Sequence, residues 1–161
     1  MESQRILEKR SQKMIEIRTM ESKDAEEVLA MMQVFYDSPA VLHKASEEIL
    51  RRDIKDCIGD NPFVEGFVFE ENHQIAGYSM LAKSYSTEFG GNCIWIEDLY
   101  MKPEYRGSGI GTRFFSYLEE KYCKDAVRLR LEVEQSNVRA REVYKKNGYQ
   151  ELTYVQMTKE L

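Results

Sequence analysis

Hydrophobic positions change their period several times along this chain, and each change marks an expected element. Residues 14–18 (Met-Ile-Glu-Ile-Arg) alternate apolar and polar, the two-residue repeat of a half-buried strand. Ser22 then stands where a helix N-cap belongs, with Asp24, Glu26 and Glu27 in the first turn, where the helix dipole favours acids. Val28, Met31, Met32 and Phe35 recur at helical spacing until Asp37-Ser38-Pro39 ends the pattern. Ser46 caps a second helix with Ile49, Leu50 and Ile54 on one face and Gly59 at its end. Residues 63–69 and 74–81 read as an antiparallel pair turning at Glu71-Asn72-His73, and residues 92–100 as a further strand. Ile110, Phe114, Leu118 and Tyr122 make one stripe of a helix over 110–122. Val127, Leu129, Leu131 and Val133 alternate with charged residues, so one face of that strand is expected to be buried. Residues 138–146 are helical, ending at Asn147-Gly148, and residues 149–158 are expected to close the fold as a strand. The order is βααβββαβαβ: a mixed α/β fold whose second half contains a βαβ unit.

Length and composition narrow the class. A chain of 161 residues, 42% hydrophobic and 11% aromatic, is a single folded domain rather than a disordered or low-complexity protein. No uncharged apolar run reaches the ~18–20 residues of a membrane span, and the first residues lack the apolar core of a signal peptide. Cys57, Cys93 and Cys123 are odd in number and show no CxxC spacing, so neither a disulfide framework nor a metal site is expected; this fits a reducing, cytoplasmic setting. Residues 1–13 carry Arg5, Lys9, Arg10 and Lys13 against Glu2 and Glu8, a net +2, so the formal charge of −5 leaves −7 on residues 14–161. We therefore expect an N-terminal arm over 1–13 and a domain over 14–161. The acidity argues against nucleic acid or an anionic membrane as partner and is compatible with a cationic substrate.

The candidate chemistry begins at Arg106-Gly107-Ser108-Gly109-Ile110-Gly111-Thr112, between a strand and an amphipathic helix. Glycines there admit close backbone approach, and the free N–H groups of a first helical turn favour a phosphate or pyrophosphate. A bare strand-to-helix turn is the alternative, although three glycines in five residues exceed what a turn requires. A P-loop would need Gly-Lys-Ser/Thr, which is missing. A dinucleotide loop would need Gly or Ala where Thr112 stands, and would normally follow the first strand. The pattern Arg/Gln-x-x-Gly-x-Gly/Ala does fit. It resembles the pyrophosphate loop of the GNAT superfamily of N-acetyltransferases, whose co-substrate is acetyl-CoA. A second block, Asn137-x-x-Ala140-x-x-x-Tyr144-x-x-x-Gly148-Tyr149, resembles the same superfamily in order and spacing.

Glu97 and Asp98 stand inside the apolar strand Cys93-Ile94-Trp95-Ile96-Glu97-Asp98-Leu99-Tyr100-Met101. A buried unpaired carboxylate costs several kcal/mol or shifts its pKa upward. The two are either structural carboxylates satisfied by neighbours or hold a general base. Acetyl transfer to an amine needs a base, because freeing the lone pair of a lysine-like amine at pH 7 costs about 4.6 kcal/mol. Glu97, directly or through water, suits that task. Backbone N–H groups near Leu99 and Tyr100 would stabilise an oxyanion if the strand bulges or splays there.

Within the superfamily, residues Trp95 to Met101 together with Tyr105 to Gly111 resemble the diamine and polyamine acetyltransferases. The resemblance implies a central, mostly antiparallel sheet with a splayed parallel pair, flanked by helices. It implies Glu97 at the base or amine position and Tyr144 as the general acid for the leaving thiolate; read alone, Tyr144 is an aromatic on a buried helix face. It implies pantetheine contacts from Leu99, Tyr100 and Met101, pyrophosphate contacts from Arg106, Gly107, Ser108, Gly109, Ile110, Gly111 and Thr112, and further CoA contacts from Asn137 and Ala140. Tyr36 and Glu88 are the added candidates for amine recognition. The expected activity is direct acetyl transfer in a ternary complex to a small cationic amine, by a cytoplasmic homodimer without a metal. Acetylation of a protein or aminoglycoside amine, or a non-catalytic acyl-CoA-binding domain, are the alternatives. His43 and His73 read as surface residues.

Overall fold

The computed structural model describes residues 14–161. The expected arm over 1–13 lies outside the described residues. The elements are β1 (Ile15–Thr19), α1 (Ala25–Tyr36), α2 (Glu47–Ile58), β2 (Val64–Glu71), β3 (Gln74–Ser86), β4 (Gly91–Met101), α3 (Ile110–Tyr122), β5 (Arg128–Leu131) and α4 (Val138–Lys146), with short 3₁₀ turns at Ser22–Asp24 and Pro103–Tyr105. The five strands form one sheet in chain order. All neighbours are antiparallel except β4 and β5, which run parallel. A parallel pair needs a crossover, which α3 supplies. This is a mixed α/β domain with one parallel pair.

Helices cover both sheet faces. On one, Val28, Met31 and Met32 of α1 and Leu50 and Ile54 of α2 pack with Val68, Tyr78, Met80 and Tyr100. On the other, the Ile110, Phe114, Leu118 and Tyr122 stripe of α3 packs with Phe67, Phe69, Leu81, Ile94 and Ile96. Side chains alternate between faces along a strand, so a regular β4 would send every second residue to α3. Ile94 and Ile96 face α3, yet so do Leu99 and Met101. The parity changes because Met80 pairs with Asp98 and Leu81 with Ile96, leaving Glu97 as the extra residue of a β-bulge.

Several expectations change in detail. Ser22 does not cap the first helix: Glu21 precedes the 3₁₀ turn and exchanges reciprocal bonds with Asp24, its own N–H donating to Asp24 Oδ2 at 2.8 Å. Ser46 does cap α2, accepting from the Ile49 N–H, but Ile49 itself is exposed. β3 runs on to Ser86, because its pairing with β4 continues to Gly91. The turn Asn72-His73 holds φ values of 54° and 66°, the left-handed geometry of a two-residue hairpin loop. β5 is only four residues long and half-buried throughout, instead of having one fully buried face.

The expected last strand does not form: residues 149–161 belong to no element. The chain after α4 is held by side chains and not by a strand edge. Tyr149 packs on Phe115 at 5.3 Å between ring centroids, and Glu151 accepts from Arg141 and Lys145. Leu152, Tyr154, Val155, Met157 and Leu161 are left exposed. The three cysteines are free thiols. No helix among the described residues is long and apolar enough to cross a membrane.

Candidate active site

β4 and β5 stay paired only from Cys93–Arg128 to Ile96–Leu131. From Glu97 onward β4 continues to Met101 with no strand of the described residues on that edge, so the sheet splits beside the bulge. The Glu97 side chain is exposed at the mouth of this split. The next register step puts Glu132 beside it. Partial desolvation, then the Glu132 charge, push the Glu97 carboxyl above its usual range. Below the split, Arg130 stacks its guanidinium 4.1 Å from the Trp95 ring centroid and fastens the two strands.

Asp98, the next residue, is turned to the other face and is buried. Its Oδ1 accepts from the Tyr36 hydroxyl and its Oδ2 from the Tyr78 hydroxyl, each at 2.9 Å. The Ser79 hydroxyl donates to its main-chain carbonyl at 2.7 Å. Burial pushes its pKa up to about 6, opposed by the two phenol bonds and reinforced by Glu97 and Asp53. Both tyrosines are in turn held well above the ordinary phenol range by burial and by Asp98, so they remain donors.

Beyond Met101 the chain makes a 3₁₀ turn and enters the glycine loop. Arg106 Nε donates to the Met101 carbonyl at 3.0 Å, and the Ser108 hydroxyl to the Tyr105 carbonyl at 2.6 Å. Gly107 and Gly109 have φ of 78° and 87°, which L side chains rarely adopt. A Cβ at Gly107, Gly109 or Gly111 would meet nothing within 4 Å. The first helical bond of α3 runs from the Arg113 N–H to the Gly109 carbonyl, so the N–H groups of Ile110, Gly111 and Thr112 are not used by the helix. Open space over a left-handed loop with unspent donors is the form of an anion cradle.

On α4, Asn137 is the N-cap and its Oδ1 accepts from the Ala140 N–H at 3.2 Å. Tyr144 packs edge-on against Phe115 and Tyr149, joining the cluster that also receives Leu99 and Leu131 from the two splitting strands. Desolvation raises its phenol pKa.

A family model described as the acetyltransferase (GNAT) family matches residues 27–149. The chain belongs to the GNAT family. A thialysine N-ε-acetyltransferase from Bos taurus is 40% identical over 119 residues, 68% of each chain, and one from Mus musculus is 33% identical over 148 residues, 85% of each. A Clostridium acetobutylicum protein described as a predicted acetyltransferase, crystallised with acetyl-CoA, superposes with a TM-score of 0.71 at 22% identity, covering 90% of this chain and 96% of that one. The protein is therefore an N-acetyltransferase.

Within this GNAT domain Glu97, Leu99, Tyr100 and Met101 line the open edge of β4, which leads through the 3₁₀ turn at Pro103–Tyr105 into the Arg106–Thr112 loop. Tyr36 also reaches β4, through Asp98 and not as a free group. Glu88 lies in the β3–β4 turn, roughly 20 Å of strand from Glu97 at about 3.3 Å per residue, where it accepts from Tyr154. Two residues escaped the sequence reading in their site context. Glu132 could have been found by extending the Trp95–Arg130 register by two residues. Tyr78 carries no such signal, because it looks like an ordinary core aromatic. Among the described residues no group of acidic, His or Cys side chains could hold a metal.

Proposed function

We propose that the protein transfers the acetyl group of acetyl-CoA to a primary amine of a small cationic acceptor, a diamine, polyamine or lysine-like molecule. The observation that carries this reading is the split of β4 from β5 at a bulge bearing Glu97, one short turn before the glycine loop. Loop N–H groups at Gly107 to Thr112, with Arg106, would hold the pyrophosphate. The open edge at Leu99, Tyr100 and Met101 would bond pantetheine, and Asn137 and Ala140 would complete the CoA contacts.

Glu97, with a raised pKa beside Glu132, is suited to receive an ammonium and then its proton, directly or through water. The freed amine attacks the thioester carbonyl in a ternary complex: a C–N bond forms and the C–S bond breaks. Edge N–H groups near Leu99 and Tyr100 would stabilise the oxyanion. Tyr144, a phenol protonated at pH 7, would return a proton to the thiolate. The mammalian relatives named for thialysine support a lysine-like acceptor. The −7 charge of residues 14–161, with Glu97 and Glu132 at the cleft mouth, would draw a cation there.

A cytoplasmic setting, with a reduced thiol complement, belongs to this reading. So does a homodimer, supported by the uncovered apolar residues of the segment after α4. The deciding experiment measures thiol release from acetyl-CoA across polyamines, lysine and thialysine, aminoglycosides and peptides. Turnover confined to small cationic amines supports the proposal. Turnover only on peptides or aminoglycosides redirects the acceptor, and CoA-dependent thermal stabilisation without turnover on any amine favours a binding domain.

A further inference from the structure

Asp98 is buried, ionisable and next to the candidate base, yet it faces away from the cleft, so the proposed chemistry gives it no part. Its surroundings are unusually complete. Each carboxylate oxygen takes one phenol, Tyr36 from the last residue of α1 and Tyr78 from β3, and its backbone carbonyl takes the Ser79 hydroxyl. These three bonds converge on the residue immediately after the bulge. A bulge residue lacks a ladder partner of its own, so its direction depends on how firmly its neighbours are fixed.

We propose that Asp98 is a positioning residue: clamped by Tyr36, Tyr78 and Ser79, it fixes the β4 bulge so that Glu97 points into the cleft, and it ties the α1 terminus to that strand. The inference rests on the reading of Glu97 as the base. A hydrophobic residue at 98 would fill the same core position, but would hold neither phenol and would leave the bulge restrained only by the β3 ladder and the Ser79 bond to the main-chain carbonyl. The bidentate arrangement also gives the ionisable group a task here. One carboxylate offers two acceptors in fixed geometry, whereas an amide offers one. The end of α1 leads into residues 37–46, which connect the two helices on this face. The clamp thus joins that connection to the strand that carries the base.

The test compares Asp98→Asn, Tyr36→Phe, the double variant and Glu97→Gln in the full chain, using the best amine from the thiol-release panel. Asp98→Asn is expected to lower kcat tenfold or more and Tyr36→Phe about threefold, with CoA affinity by calorimetry within twofold of wild type in both. Because Tyr36 acts through residue 98, and an amide there keeps one acceptor atom for two phenols, the double variant should lose less than the product of the two single losses. Amide hydrogen exchange over residues 96–100 should accelerate in both single variants, a readout that needs no turnover. A folded Asp98→Asn with kcat within twofold of wild type, unchanged exchange over 96–100, or losses that multiply in the double variant would each overturn the proposal. Where Asp98→Asn does not fold, Tyr36→Phe keeps the ring and decides alone: a lower kcat at constant CoA affinity supports the clamp, and an unchanged kcat overturns it. Glu97→Gln separates the two readings. If it retains full turnover, the base assignment fails; if it loses turnover while Asp98→Asn does not, only the positioning role fails.

Discussion

The Tyr36 hydroxyl lies 2.9 Å from Oδ1 of Asp98, although 62 positions separate the two residues in the chain. That bond joins the end of the first helix to the strand on which the sheet divides. It also turns what reads in the sequence as a pair of carboxylates into two groups with different tasks. Glu97 stands at the open edge with an exposed but partly desolvated side chain, and Asp98 lies in the core with both oxygens satisfied.

On the proposed mechanism, Tyr144→Phe removes the proton donor for the thiolate and keeps the ring contacts with Phe115 and Tyr149. We expect kcat to fall by about 10²-fold or more, with the KM values for amine and acetyl-CoA changed little. Steady-state kinetics with both substrates varied checks this, and an unchanged kcat removes the general-acid role.

Gly109→Ala places a Cβ at φ 87° in a loop with open space above it. The backbone strain costs about 1–2 kcal/mol, and the added methyl intrudes on the anion cradle. The KM for acetyl-CoA should rise about tenfold while the amine KM stays near wild type. Equal increases in both would show that the loop acts on the fold alone.

The two adjacent carboxylates predict separable pH effects. Glu97 must be ionised to accept a proton, and its pKa is raised, so the acid limb of kcat/KM should lie above the ordinary carboxylate range and disappear in Glu97→Gln. For stability, Asp98 rises from 3.8 unfolded to about 6 folded, so the native state binds the extra proton between those values. Its contribution is fully present below the unfolded pKa and is lost as pH rises through about 6, by roughly 3 kcal/mol at 1.36 kcal/mol per unit. Denaturant titrations of wild type and Asp98→Asn at pH 4 and pH 7 should show their stability difference changing by about that amount in that direction.

Half-buried Arg18 holds a second cluster of charges. Its guanidinium donates to both oxygens of Asp24 at 2.8 and 2.9 Å and through Nε to Glu70 at 2.9 Å, and Asp24 is buried. Arg18→Met leaves two carboxylates unpaired and should cost about 3–5 kcal/mol by chemical denaturation. The depressed pKa of Asp24 gives the opposite sign to Asp98, with stability present above its unfolded pKa and lost as pH falls through the folded one.

If the exposed Val155 and Met157 cover a second copy, Val155→Asp combined with Met157→Asp should convert a dimer to a monomer. Light scattering after size exclusion measures this. A wild-type monomer at micromolar concentration would end the dimer proposal.

What could be read in the chain was whatever depends on local period and local chemistry. The α3 stripe, the cap at Ser46 and the Gly107–Gly111 loop are set by neighbours within one or two turns, and each appears in the fold as expected. So does the parallel pair, because a strand–helix–strand unit leaves little topological choice. What the tertiary structure alone decided depends on partners distant in sequence. Strand pairing determined that Glu97, and not its neighbour, is the bulge residue, and burial opposite Tyr36 and Tyr78 made Asp98 a core group. Residues 149–158 have a sequence suited to a strand, but a strand exists only where an edge receives it. Here Tyr149 and Glu151 are held by α3 and α4 side chains instead.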